Sequence, residues 1–135
     1  MATKVLDSHA LLSFFQDEAG AEEVEKLLGR AEAGAHRVLL CVVNWGEVYY
    51  TLMRKISWRA AEEKMREIVS LPIEIVPVGA DLELVRQSAT YKASGKLAYA
   101  DAFAAALAKL SDAELVTGDP DFKQIEGEIR IRWLK

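Results

Sequence analysis

The 135-residue sequence is poor in the residues on which many common chemistries depend, with one cysteine, two histidines and three prolines. A lone Cys41 excludes an internal disulfide, and its place in the apolar run from Val38 to Val43 predicts a buried free thiol and a reducing, cytosolic setting. With only His9 and His36 available and no paired Cys/His spacing, zinc has too few ligands. Basic residues are outnumbered, 17 against 21 acids, so the formal net charge is −4 and no global basic field exists to hold nucleic acid. Any contact with RNA or DNA is therefore local. No apolar run approaches the roughly eighteen residues of a membrane span, and Met1 to Asp7 holds no signal-peptide core, so a soluble protein that is not exported is expected. Linkers, repeats and low-complexity tracts are also missing, which predicts a single domain over residues 1–135.

What is plentiful is apolar mass, 51% of the residues, enough for one sizeable core. Short β-branched runs alternate with longer stretches of helical spacing, the pattern of an α/β fold with a mainly parallel sheet of about five strands. Strands are expected at Lys4–Leu6, Arg37–Val43, Ile73–Val76, Glu114–Thr117 and Ile129–Trp133. Helices are expected just after Asp7, from Ala21 to a stop at Gly34, from Asn44 through Leu52, and from Trp58 to Val69. A further helix shows its apolar face at Leu82, Val85 and Ala89 and ends at Gly95, and an alanine-rich one runs from Ala98 to Leu110.

In open α/β sheets chemistry gathers beyond the carboxyl ends of the strands. Four acids are expected there: Asp7 after the first strand, Glu47 in the first helical turn after the second, Asp101 opening the alanine-rich helix, and Asp119 after the fourth strand. Each alone has a plain explanation. Asn44 to Glu47 has the spacing of a capping box, Asp101 complements a helix dipole, and Asp119 before Pro120 reads as an N-cap. Together, on one rim with no basic neighbour in sequence, they would repel one another unless a cation lay between them. Two Mg²⁺ or Mn²⁺ ions balance four carboxylates and prefer oxygen ligands. Such pairs, about 3.5–4 Å apart, serve in-line phosphoryl displacement, so phosphodiester hydrolysis is the chemistry implied. Ser8, Asn44, Thr117 and Asp121 are the supporting polar groups. His9, a lone histidine early in a helix, receives no catalytic role.

Four blocks in this order resemble the PIN-domain ribonucleases, most closely the VapC-type toxins of prokaryotic type II toxin–antitoxin pairs. They are Val5–Leu12, Val43–Tyr50, Tyr99–Ala104 and Leu115–Phe122. The resemblance implies a three-layer α/β/α sandwich and Mg²⁺- or Mn²⁺-dependent cleavage of RNA, with Asp7, Glu47, Asp101 and Asp119 on the family's acidic quartet. It also implies a homodimer, a small antitoxin protein covering the acidic groove in a larger assembly, and transfer RNA as a substrate by family analogy.

The acidic balance makes the approach of RNA a local matter, and Arg54, Lys55, Arg59, Lys92 and Lys96 are the candidates to meet its phosphates. Trp45, Tyr49, Tyr50 and Trp58 are candidates for a dimer face or an antitoxin groove, with Trp45 and Tyr49 better suited to the core. Two other functions stay open: a non-catalytic binding module whose acidic rim receives a basic partner segment, and an α/β phosphotransfer domain. Against the second, Asp7-Ser8-His9 lacks the second acid two positions on that a dehalogenase-like phosphatase needs.

Overall fold

The computed structural model describes residues 2–135. Five strands form one sheet: β1 (Ala2–Leu6), β2 (His36–Cys41), β3 (Glu74–Val76), β4 (Glu114–Thr117) and β5 (Ile131–Trp133). Their order is β3-β2-β1-β4-β5 and every pairing is parallel, with Leu6 beside Leu40 on one side and Val116 on the other. Six helices connect them: α1 (Ser8–Phe15), α2 (Ala21–Glu32), α3 (Val42–Lys55), α4 (Trp58–Glu67), α5 (Glu83–Ser94) and α6 (Tyr99–Leu110). Short 3₁₀ turns follow at Ile68–Ser70 and Pro120–Ile125.

Alternation along the strands builds the layers, because successive side chains leave a strand on opposite faces. Val5, Leu39, Cys41 and Leu115 pack with α5 and α6, whereas Leu6, Val38, Leu40 and Val116 pack with α1 to α4. The result is an α/β/α sandwich with a core on each side of the sheet. Helix α6 is the most deeply set element. Its residues from Asp101 to Ala108 are all buried, and the alanines let its backbone lie close to the strands. Cys41 is buried as a free thiol.

Three expectations need correction. The second strand ends at Cys41, not Val43, because β2 has run out of paired neighbours there: its last partners are Leu6 of β1 and Val76 of β3. Helix α3 consequently starts at Val42, so Asn44 sits inside the helix, caps nothing, and Glu47 falls in the second turn. The buried face of α5 is Leu84, Ser88 and Tyr91, while Leu82 and Ala89 are exposed. Polar Ser88 hid that face. Its hydroxyl donates to the Leu84 carbonyl, which makes it compatible with burial.

Candidate active site

All five strands point the same way, so the ends of β1, β2 and β4 lie on one edge of the sheet, and the helices that return across it begin there. Helices α1, α3 and α6 thus bring their N-termini to this edge, and their unpaired N–H groups favour negative charge. Asp7, Glu47, Asp101 and Asp119 are carried by these segments.

Asp7 is 1% exposed. One carboxylate oxygen, Oδ1, accepts the Ala10 N–H at 2.7 Å and caps α1; the other, Oδ2, accepts the Thr117 hydroxyl. Burial pushes Asp7 up to about 7 against the lowering effect of those two hydrogen bonds, with Asp101 and Asp119 adding repulsion. Asp101, in the first turn of α6, is also pushed up to about 7, by burial first and then by Glu47, Asp119 and Asp121. No basic side chain is among the influences on either group. Among the described residues no ion pair reaches these acids. Asp7 is thus within reach of the charges of Asp101 and Asp119, and Asp101 within reach of those of Glu47, Asp119 and Asp121.

Asp101, Asp119 and Asp121 offer oxygens that all lie within 4.8 Å of one another. Asp121 therefore stands closer to the centre than its expected supporting place. Asp119 also caps the 3₁₀ turn, its Oδ1 accepting the Asp121 N–H at 2.9 Å, so the capping explanation and the site coexist. Of the oxygens that lack any hydrogen-bond partner although they are out of contact with solvent, two belong to α3 residues singled out for the site, Oε1 of Glu47 and Oδ1 of Asn44. A buried acceptor without a donor is costly, and a cation is the species that would satisfy one among carboxylates. The donor set is all oxygen, which fits Mg²⁺ or Mn²⁺ and disfavours zinc.

Supporting groups divide. Asn44 donates Nδ2–H to the Ala100 carbonyl at 3.0 Å, tying α3 to the start of α6. The Thr117 hydroxyl accepts the Asp119 N–H at 3.0 Å while donating to Asp7. Ser8 is buried at the first position of α1, and the hydroxyl that reaches Asp7 is that of Thr117.

The basic candidates lie outside this cluster. Arg54 rests over the Tyr50 ring at 5.1 Å, two turns along α3 from Glu47, and Lys55 and Arg59 are exposed. Lys92 donates its ammonium to the Leu97 carbonyl at 2.8 Å and so braces the α5–α6 connection. The Lys96 main chain is held by Gln124 at 2.7 Å. Trp45 and Tyr49 are half-buried against the core as expected, and Tyr50 and Trp58 are exposed. One residue that sequence reasoning set aside, His9, lies against Gly118 beside the acids. Adjacency to Asp7 in sequence was the only signal for it.

The model of the PIN domain family matches residues 4–128. The chain belongs to the PIN domain family. Solved structures share this PIN fold along nearly the whole chain. VapBC2 from Rickettsia felis, solved bound to a DNA fragment from its promoter, matches with a TM-score of 0.74 at 15% identity, covering 98% of this chain and 99% of that one. A toxin–antitoxin complex from Klebsiella pneumoniae matches at 0.68 and 23% identity, covering 96% and 95%. VapC20 from Mycobacterium tuberculosis, described as a sarcin-ricin loop cleaving toxin, matches at 0.70 and 19% identity, covering 96% and 98%. No curated protein matches the chain in sequence. Among the described residues no helix is long and apolar enough to cross a membrane.

Proposed function

We propose that this PIN domain is an Mg²⁺- or Mn²⁺-dependent endoribonuclease of the VapC type, the toxin of a toxin–antitoxin pair. A single observation carries the reading: Asp7 and Asp101, from opposite ends of the chain, are both buried among carboxylates and raised to about 7 with no cation of the protein's own beside them. The toxin assignment leans on the fold shared with VapBC structures and on the four sequence blocks. A cognate antitoxin and a homodimer are proposed on the same footing, and transfer RNA is the first substrate to try.

Asp7, Glu47, Asp101 and Asp119 would hold the ions, joined by Asp121, whose oxygen lies within 4.8 Å of those of Asp101 and Asp119. Divalent cations there supply the activation of water and the neutralisation of phosphate charge that phosphodiester hydrolysis requires. The chain's own part is placement. Thr117 fixes the Asp7 carboxylate and the Asp119 main chain with one hydroxyl, and Asn44 holds the α6 start that carries Asp101 against the helix that carries Glu47. Asp7 is buried with both oxygens engaged, which makes it a poor phosphate-accepting nucleophile and counts against the phosphotransfer alternative.

The test is incubation of metal-stripped protein with transfer and ribosomal RNA, with Mn²⁺ or with chelator, beside Asp101→Asn. Cleavage that needs metal and is lost in the variant is the expected result. RNA left intact by folded, metal-loaded protein would turn the reading toward a binding module.

A further inference from the structure

Gly118 separates Thr117 from Asp119, and its φ is not in the left-handed region, so its backbone does not demand glycine. Space does. A Cβ at Gly118 would lie 2.6 Å from Cε1, 3.1 Å from Nδ1 and 3.5 Å from Nε2 of His9, far inside contact distance. The imidazole therefore meets the Gly118 backbone with its Cε1 edge, and the two nitrogens flank that contact. His9 is the second residue of α1, two positions after Asp7, and it is exposed. Among the described residues its ring makes no hydrogen bond to the protein. An exposed ring is thus seated between the segment that carries Asp7 and the segment that carries Asp119, with its polar atoms uncommitted.

The surroundings give this ring a use. Asp7, Glu47, Asp101, Asp119 and Asp121 are all acceptors when ionised, and an RNA backbone also presents acceptors, its phosphate oxygens, together with ribose hydroxyls. A donor from the protein at this edge supplies what the carboxylates cannot. Two of the basic candidates are committed elsewhere: Lys92 is bound to the Leu97 carbonyl, and Arg54 lies over Tyr50 two turns from Glu47.

We propose that His9 is a substrate-contacting residue of the acidic site, donating a ring N–H to the RNA backbone next to the scissile phosphate. Gly118 is the seat that lets the ring reach that position. The inference rests on the nuclease reading and adds to it a protein-derived contact with the strand.

The experiment measures binding of a fluorescein-labelled, mixed-sequence oligoribonucleotide by anisotropy, in chelator and in Ca²⁺, for the wild type, His9→Ala, His9→Gln, Gly118→Ala and the His9→Ala/Gly118→Ala double variant. His9→Ala is expected to weaken binding about five- to tenfold in both conditions, as for one lost hydrogen bond to a charged group. His9→Gln, which keeps a donor, is expected to recover most of that. Gly118→Ala, by displacing the ring, should match His9→Ala, and the double variant should bind no more weakly than His9→Ala because the added methyl then fills vacated space. Circular dichroism and melting of each variant separate lost contact from lost fold. Equal binding by wild type and His9→Ala, with only the melting temperature changed, would overturn the inference and leave the nuclease reading standing. Wild-type protein that binds no RNA in either condition would overturn both.

Discussion

Thr117, at the end of β4, donates its hydroxyl proton to Asp7, 110 residues earlier and one step beyond the end of β1. The contact continues the strand register, in which Leu6 faces Val116 and the Asp7 N–H meets the Val116 carbonyl. One hydroxyl thereby sets two acids, since its oxygen also accepts the Asp119 N–H. Replacing Thr117 by Val keeps the shape but removes both bonds. Manganese affinity measured by calorimetry should fall about 10- to 100-fold, the usual cost of losing a group that orients a metal ligand. Unchanged affinity would mean that Asp7 needs no such partner.

Asn44 is the second support. Asn44→Leu removes the bond to the Ala100 carbonyl at 3.0 Å, which ties α3 to the start of α6, and removes the unpartnered Oδ1 with it. The expected loss is no more than about 1 kcal/mol in denaturant unfolding, together with reduced cleavage, because α6 and α3 carry facing acids. A variant as stable and as active as the wild type would remove Asn44 from the account.

Acidity and stability are linked at the site. Asp7 and Asp101 titrate at about 7 in the folded chain, whereas an unfolded aspartate titrates near ~3.9. Between those values the folded protein holds protons that the unfolded chain releases, so these two groups lower stability as pH rises from about 4 to about 7, and their penalty is complete above that. Metal-stripped protein is expected to lose melting temperature across this window, and Asp101→Asn to flatten the slope. Added Mn²⁺ should raise the melting temperature more at about pH 8 than at about pH 5, because protons compete for the same oxygens. Calorimetric scans across that range decide it; a slope identical in wild type and Asp101→Asn would show that Asp101 does not titrate there.

Tyr91 offers a prediction away from the site. Its ring is 2% exposed and its hydroxyl has no hydrogen-bond partner. Burial and Glu128 raise the phenol further above its ordinary value, so it stays neutral and still lacks a partner. Tyr91→Phe should stabilise the fold by about 1 kcal/mol in urea unfolding, since it removes an unsatisfied polar atom and keeps the ring. Destabilisation would reveal a partner for that hydroxyl.

The strand order and the site differ in how openly the sequence displays them. Runs such as Val38 to Cys41 and Glu114 to Thr117 announce buried parallel strands, and the acids after them follow from the rule that parallel strands end together. The end of β2 was not legible, because Val42 and Val43 suit a strand locally and only the lack of a paired neighbour turns them into helix. The face of α5 was misread by one position because a buried serine looks polar until its bond to the Leu84 carbonyl is seen. The seating of His9 was not legible because it depends on a glycine 109 positions away, a matter of spatial fit that no local pattern carries.

The central place of β1 has a consequence for how the protein comes into being. β1 pairs on one edge with β2, close to it in sequence, yet its other edge waits for β4, and with it Asp119 and Thr117, the latter 110 residues after Asp7. The acids cannot meet until the stretch from Asp7 through Asp119 has been made. Cutting the backbone anywhere between α5 and α6 would leave two fragments, each with an incomplete set of acids.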